Sequence, residues 1–537
     1  MTTVAQLLAK TLYDRGVRTV FGLPGGEVVD VLDAFRETGL EFVLVKNESS
    51  AVYMADVTAR LTGTIGVALT TLGPGATNAY AGVAHAYLDR APVLILTAQT
   101  DPQRIGSHTH QVLDLQTCFR PVTKFTAELE ADSAPETIHF ALFQLTSGRP
   151  GPVHLGLCTR VASAETGAMA DTVQTARYVD LAAHTAAIKE WLRASARPVI
   201  VAGLGLEPER PYAEIQALAE TLNAPVIDTP KAKGCLPANH PLFAGTVGLT
   251  ADDPVYELLD EADCIVAVGF DVVELVKPWA QDAPLIWIAP WPNQDPHIPA
   301  VHEYAGEMAP LLVSLAGSVK NQVDSSWGSS RVTRFRSELE RKPVARAAAG
   351  RISPQDVLRV IRDHTADDIV ITTDVGSHKI FTALNWPAQA PNRYFVSNGL
   401  SAMGFGLPAA IAAARITRQP AICVTGDAGL AMVGGELSLA ADMDLPVIIV
   451  MMNDDALDLI RSAQRRRGKT VYGTTFANPD YRLIAAGYGL TYHRVDDLDS
   501  CATALRLALA AQEPGLIDVQ IDPSAYPTAV SKQVPRT

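Results

Sequence analysis

Cysteine is scarce in this chain. Six among 537 residues, at Cys118, Cys158, Cys235, Cys264, Cys423 and Cys501, are too few for a disulfide framework and nowhere show the paired spacing of a metal site. A reducing compartment is the expectation. Long apolar runs are missing as well: no stretch of about twenty apolar residues occurs, and Met1 to Lys10 carries no apolar signal segment. The chain is therefore expected to be cytoplasmic, with no membrane partner. Basic residues are in deficit, 44 Lys and Arg against 58 Asp and Glu for a net charge of -14. This argues against a nucleic-acid partner, because that footprint requires a basic field. No nucleophile elbow, Walker loop or Ser, His, Asp order stands out. Glycine (38) and proline (35) are plentiful but lack a collagen-like period.

What is present is a chain with 48% hydrophobic and 19% charged residues, long enough for about three or four ordinary domains. Its organising stretch is Ala421 to Ile460. An apolar run, Ala421 to Thr425, enters Gly426-Asp427-Ala428-Gly429; a helix-like segment, Gly435 to Asp442, follows; a second apolar run, Pro446 to Met452, ends on Asn453-Asp454-Asp455-Ala456. Two buried strands would thus each release an acid at the carboxyl end, where open parallel sheets bind ligands. Asp427 and Asp454 offer hard oxygen ligands suited to Mg2+ with positions left for phosphate oxygens. A plain turn at Asp427 and a helix cap at Asp454 are the competing readings.

Upstream, the grammar of strand, tight loop and helix predicts an α/β domain over residues 1–165. Thr19 to Leu23 closes on Pro24-Gly25-Gly26, and Glu41 to Val45 delivers Lys46-Asn47-Glu48 to a helix with Ala51, Met54, Ala55 and Ala59 on it. Glu48 is either a helix cap or a buried acid whose ionisation is set by desolvation against the positive helix end. Gly66 to Thr70 enters Leu72 to Asn78, Val93 to Ala98 precedes a polar loop with Arg104, His108, His110 and Gln111, and Val153 to Leu157 is the last strand. The two imidazoles lack further zinc ligands nearby; a surface loop and a proton donor near neutral pH are the two readings. A linker from Ala162 to Val173 separates a second α/β domain over residues 185–320. Its turn Gly203-Leu204-Gly205 either cradles a dinucleotide phosphate or is structural. A charged connector, Ser318 to Ala349, leads to a third α/β domain over residues 350–537, where Ser353 caps a helix opened by Pro354 and Asp368 to Thr372 delivers Asp374-Val375-Gly376-Ser377-His378. The basic run Arg461, Arg465, Arg466, Arg467 and Lys469 reads as a solvated helix end or as an attractor of anions. The first and third domains alternate alike, which makes a duplication plausible.

Together these stretches resemble the thiamine-diphosphate-dependent superfamily of acetolactate synthases, pyruvate oxidases and 2-oxo acid decarboxylases, over nearly the whole chain. The cofactor signature of that family, Gly-Asp-Gly to Asn-Asn, is matched by Gly426-Asp427-Ala428 and Asn453-Asp454. The amino-terminal match comprises Val20 to Gly25, Glu48, Gly73 to Asn78 and Asp89 to Pro92. The resemblance implies a thiamine-diphosphate-binding fold of three parallel-sheet α/β domains. It implies Mg2+ held by Asp427, by Asp454 in place of the usual Asn and by the carbonyl of Ala456, with Gly426, Ala428, Gly429 and Leu457 beside it. It implies a diphosphate-side loop of Asp374, Gly376, Ser377 and His378, and a pyrimidine-gripping loop, Asn398 to Pro408, in which Met403 is the wedge and Ser401 presents its carbonyl. Gly25 lines the cofactor and Glu48 contacts N1' of the aminopyrimidine. Asn47 replaces a His common before that Glu. His110-Gln111, Asp114 and Phe119 to Lys124 resemble the flavin-independent, catabolic acetolactate synthases, so FAD is not expected. His110 and Gln111 are implied as donors to a developing alkoxide. The implied activity is decarboxylation of pyruvate or a related 2-oxo acid with carboligation. The alternatives are a non-ligating decarboxylase or other carbon-carbon lyase, or a noncatalytic subunit that keeps the fold. A homodimer or homotetramer with inter-subunit active sites is implied as well.

Overall fold

Short apolar runs alternating with helices build three six-stranded sheets in which every pairing is parallel. The fold, an α/β arrangement as expected, comes from a computed structural model that describes residues 2–105, 110–168, 180–250, 252–276, 278–317, 324–341 and 347–526. His108, the linker beyond 168 and parts of the connector lie outside the described residues. Contacts group the chain into two compact units: Met1–Ala176, Gly399–Gln419 and Met432–Leu445 form one, and Arg177–Asn398, Pro420–Ala431 and Pro446–Thr537 form the other.

The first unit holds β1 (Thr19–Leu23), β2 (Glu41–Leu44), β3 (Gly66–Thr70), β4 (Val93–Ala98), β5 (Phe125–Glu128) and β6 (Val153–Leu157) in the order β2-β1-β3-β4-β6-β5. The interior strands β3, β4 and β6 are buried throughout, as continuous apolar runs in a sheet covered on both faces should be. The edge strands β2 and β5 are only partly buried. The helix Glu48–Thr62 packs against the helices Pro74–Leu88 and Gly406–Thr417. Small residues on it, such as Ala51, Ala55 and Ala59, permit that close approach. Buried polar contacts brace the layer: Arg60 Nε donates to Asp56 Oδ1 at 2.7 Å, and His85 Nε2 lies 3.0 Å from Asp56 Oδ2. Gly399 N–H donates to Asp89 Oδ1 at 2.6 Å, fixing the start of the loop that precedes Gly406.

The second unit holds two sheets. The central one comprises β7 (Pro198–Ala202), β8 (Val226–Asp228), β9 (Phe243–Thr246), β10 (Cys264–Val268), β11 (Leu285–Ala289) and β12 (His302–Ala305), ordered β9-β8-β7-β10-β11-β12. That order is the doubly wound one in which dinucleotides lie where the winding reverses, beside the turn after the first strand. Here that turn is packed with protein. Leu204 N–H donates to Glu274 Oε2 at 2.9 Å, and a methyl on Gly203 or Gly205 would come within 2.6 Å of Phe270 or Trp291. The remaining sheet comprises β13 (Val370–Thr373), β14 (Tyr394–Val396), β15 (Ala421–Gly426), β16 (Val447–Asn453), β17 (Thr491–Val495) and β18 (Gly515–Gln520), ordered β14-β13-β15-β16-β18-β17. Its winding repeats that of the first sheet strand for strand, which gives the suspected duplication a topological basis. Ser353 caps the helix Pro354–Asp363 as expected, accepting the N–H of Asp356. No helix among the described residues is long and apolar enough to cross a membrane.

Candidate active site

In the first unit the strand β2 ends at Leu44, and after Val45 and Lys46 the residue Asn47 caps the helix Glu48–Thr62 by accepting the Ser49 N–H at 2.9 Å. Glu48, the first helical residue, is 5% exposed, and its Oε2 accepts a hydrogen bond from Asn78 Nδ2 at 3.2 Å. A methyl on Gly75 would sit in contact with Glu48 Oε1, at 3.4 Å, and would clash with Thr71 Cγ2 at 2.7 Å, so the close approach here is between the helix Pro74–Leu88 and Thr71. The backbone N–H groups of Lys46 and Asn47 both donate to Glu436 Oε1 at 3.0 Å. Glu436 is fully buried, and burial raises its affinity for a proton. Gln111, in the left-handed region at φ 59°, lies over Gly73, where a methyl would meet its Cβ at 2.9 Å. His110 is exposed beside it.

The winding of this sheet reverses between β1 and β3, and Gly25 follows the first of these strands. A methyl there would approach Thr71 Oγ1 to 2.3 Å, and that hydroxyl donates to Glu27 Oε2 at 3.0 Å across the same crevice. Ser401 and Met403 belong to this unit too. Ser401 holds φ at 55°, a conformation uncommon outside glycine and a mark of a constrained loop.

In the second unit the carboxyl ends of β13, β15 and β16 stand side by side, Thr373 opposite Val424 and Gly426 opposite Met452. Asp374 is buried; its Oδ1 accepts the Val375 N–H at 2.7 Å, and a methyl on Gly429 would come 2.5 Å from Oδ2. His378 packs with its ring between Gly376 and Gly426, where methyl groups would lie 2.7 and 3.0 Å from Cε1. Burial lowers its pKa to about 4, and its Nε2 has no hydrogen-bond partner. Asp427 is 1% exposed and takes three donors: Ala428 N–H on Oδ1 at 2.9 Å, Asp455 N–H on Oδ2 at 2.9 Å and Asn478 Nδ2 on Oδ2 at 2.8 Å. Tyr481 O–H reaches the Asp427 carbonyl at 3.3 Å. Asp454 has its pKa pushed up to about 7, chiefly by burial and then by the negative charge of Asp458, with Arg461 opposing. Ala456 is held in an isolated bridge to Thr475, and Leu457 N–H donates to the Thr474 carbonyl at 2.8 Å.

Burial makes these two acids hold protons more tightly than free carboxylates, so their charged forms call for positive charge nearby. A hard divalent cation would supply it, so the donor set fits Mg2+. No three His, Cys, Asp or Glu side chains among the described residues gather as a metal cluster of their own.

Comparison with protein-family models matches residues 2–118 to the N-terminal TPP-binding domain of thiamine pyrophosphate enzymes, 185–311 to their central domain and 374–519 to their C-terminal TPP-binding domain. The chain belongs to the thiamine pyrophosphate enzymes. Within that family it is acetolactate synthase-like. A probable acetolactate synthase large subunit of Methanocaldococcus jannaschii is 31% identical, covering 97% of this chain and 92% of that protein. The acetolactate synthase isozyme 3 large subunit of Escherichia coli is 32% identical over 91% of this chain and 89% of that protein. An acetolactate synthase of Bacillus subtilis is 27% identical over 99% and 95% respectively.

For this thiamine pyrophosphate enzyme, the structure gathers Asp374, Gly376, Ser377, His378, Gly426 to Gly429, Asp454, Ala456 and Leu457 at three adjacent strand ends. In the other unit it brings Glu48 and Gln111 to one turn, Gly73 to Gly75. Sequence reasoning missed Asn478 and Tyr481, which reach Asp427 from 51 and 54 residues away. It also missed Glu436, within the helix-like segment Gly435 to Asp442, as the clamp on Asn47, and it read Arg461 only as part of a basic run, solvated or attracting anions, not as a partner of Asp454.

Proposed function

We propose that this chain decarboxylates pyruvate or a related 2-oxo acid and joins the product to a second carbonyl compound, as its acetolactate synthase relatives do by name. The observation that carries the reading is Glu48, a buried carboxylate at a helix start whose hydrogen-bond partner is the neutral amide of Asn78. Thiamine diphosphate, when bound, supplies the carbon nucleophile and the electron sink that decarboxylation needs. Glu48 would hold and exchange a proton at its carboxylate, with Asn78 fixing the orientation. Asp427, Asp454 and the carbonyl of Ala456 would hold Mg2+. Asp374, Gly376, Ser377 and His378, with Gly426, Ala428, Gly429 and Leu457, would line the diphosphate. Ser401, Met403 and Gly25 would line the pyrimidine. His110 and Gln111 would donate to the alkoxide that develops during carboligation.

The working form is a cytoplasmic homodimer or homotetramer in which the Glu48 half of one protomer is completed by the carboxylate half of its partner. Six free cysteines, five of them buried, support a reducing compartment. Flavin is left out of the proposal: the Glu274 carboxylate takes the Leu204 N–H that a dinucleotide phosphate would use, and Phe270 and Trp291 close over the turn.

The test is purified protein with thiamine diphosphate and Mg2+, offered a panel of 2-oxo acids, with carbon dioxide and ligated product analysed. Acetolactate from pyruvate is the expected result. Acetaldehyde without acetolactate would assign a simple decarboxylase, and cofactor binding without turnover across the panel would assign a noncatalytic subunit.

A further inference from the structure

The helix Asp458–Arg466 turns one arginine inward. Arg461 is 9% exposed, and its Nη2 donates to Asp454 Oδ2 at 2.5 Å and to Asp458 Oδ1 at 3.2 Å. Asp458 is anchored without Asp454: its Oδ2 accepts Ser377 Oγ at 2.8 Å, and its Oδ1 accepts Ser462 Oγ at 3.2 Å. Arg461 Nε is buried and has no hydrogen-bond partner. The guanidinium is therefore shared between a firmly held carboxylate and Asp454, while one of its own donors is unused.

Charge explains why the arginine is there. Asp427, Asp454 and Asp458 bring three carboxyl groups into a poorly solvated corner, and buried charges persist only when paired. An amide in place of Asp454 would need no counter-ion. The carboxylate needs one whenever no metal is present, and Arg461 supplies it at the same oxygen.

We propose that Arg461 is the built-in counter-ion of Asp454 and competes with the divalent cation for that carboxylate. Metal binding then moves the guanidinium off Asp454, leaving it on Asp458 with two donors turned toward the anionic side of the site. The inference rests on the metal role given above to Asp427 and Asp454. It assigns Arg461 a positioning role, since it acts through Asp454.

Two consequences have opposite signs. A permanent cation at Asp454 stabilises the metal-free protein and weakens metal binding. Replacing it with a neutral side chain should lower the unfolding temperature of metal-free protein and tighten metal affinity by about tenfold or more, the scale of removing one unit charge a few ångströms from a partly buried cation.

The experiment uses full-length protein without cofactor or substrate, Mn2+ as the probe, and calorimetric binding with thermal unfolding as readouts. Wild type, Arg461→Gln, Arg461→Lys, Asp454→Asn, Asp427→Asn and the Arg461→Gln/Asp454→Asn pair are compared. Tighter Mn2+ binding in Arg461→Gln, absent in the Asp454→Asn background, is the expected result. Arg461→Lys keeps the charge and should stay near wild type, which covers the case in which Arg461→Gln does not fold: a lysine variant that binds Mn2+ tenfold more tightly than wild type would overturn the proposal. Unchanged or weaker Mn2+ binding in Arg461→Gln, with binding lost in Asp427→Asn, would overturn the competition and leave the metal site standing. Mn2+ binding that survives both Asp427→Asn and Asp454→Asn would overturn the metal site itself.

Discussion

The Glu436 carboxylate accepts the backbone N–H of Asn47 at 3.0 Å, and the next residue in the chain is Glu48. The same oxygen takes the Lys46 N–H, so one side chain holds both amides of the turn that presents the proposed proton-exchanging acid. Glu436→Ala should remove the acceptor of two part-buried donors, at no more than roughly 1–3 kcal/mol each. Glu436→Gln keeps an acceptor oxygen in place. Amide exchange around residues 46 and 47, followed by mass spectrometry, should quicken in the alanine variant and stay slow in the glutamine one. Equal protection in both would show that the clamp contributes nothing.

Glu48→Gln should bind thiamine diphosphate with little loss yet slow exchange of the cofactor's C2 proton by about a hundredfold or more, the lower end of what a positioned acid or base contributes. Exchange quenched at intervals in deuterated water reads this directly. A wild-type exchange rate in that variant would remove Glu48 from the chemistry.

Gly429→Ala places a methyl 2.5 Å from Asp374 Oδ2, and Asp374 is fully buried with its Oδ1 held by the Val375 N–H. The cost should be about 1–3 kcal/mol, typical of overpacking, together with a weaker hold on the cofactor. Denaturant unfolding and a cofactor titration check it. The neighbouring Ala428→Gly change, which adds no atoms, serves as the control.

His154 lies fully buried between Thr97 Oγ1 at 2.9 Å and Thr126 Oγ1 at 2.7 Å, and burial lowers its pKa to about 3. An unfolded chain takes up this proton near pH 6.5, whereas the folded one does not until far lower pH. Stability from this residue is therefore complete above about pH 6.5 and falls as pH drops toward 3, by roughly a kcal/mol per pH unit. Urea unfolding of wild type and His154→Gln between pH 7 and 5 should show a shallower acid-side loss in the variant. Parallel slopes would mean that the imidazole titrates freely in the fold.

Most of this architecture was legible in the sequence because interior parallel strands are written as unbroken apolar runs. Thr19–Leu23, Gly66–Thr70, Val93–Ala98 and Val153–Leu157 appear at the expected bounds. The strands β5, β9, β12 and β17 escaped notice. Phe125–Glu128, Phe243–Thr246, His302–Ala305 and Thr491–Val495 are short, mixed in polarity and mostly at sheet edges, where one neighbour suffices and burial is incomplete. At the site, acids at strand ends announced themselves by position. Their partners did not, because nothing local distinguishes Asn478 from a loop asparagine or Arg461 from the exposed arginines after it. Pairings of that kind are made by the fold.

Lys46 and Glu436 are 390 positions apart. During synthesis the amino-terminal sheet can assemble long before the residue that pins the turn ahead of Glu48 has left the ribosome, since early parts of a chain fold first. The nascent protein thus carries Glu48 on a turn held by Asn47 and Asn78 but not yet by Glu436 for most of its translation. A carboxyl-terminal truncation ahead of Glu436 would release an N-terminal domain with every strand of its sheet but without the acceptor for the Lys46 and Asn47 amides next to Glu48.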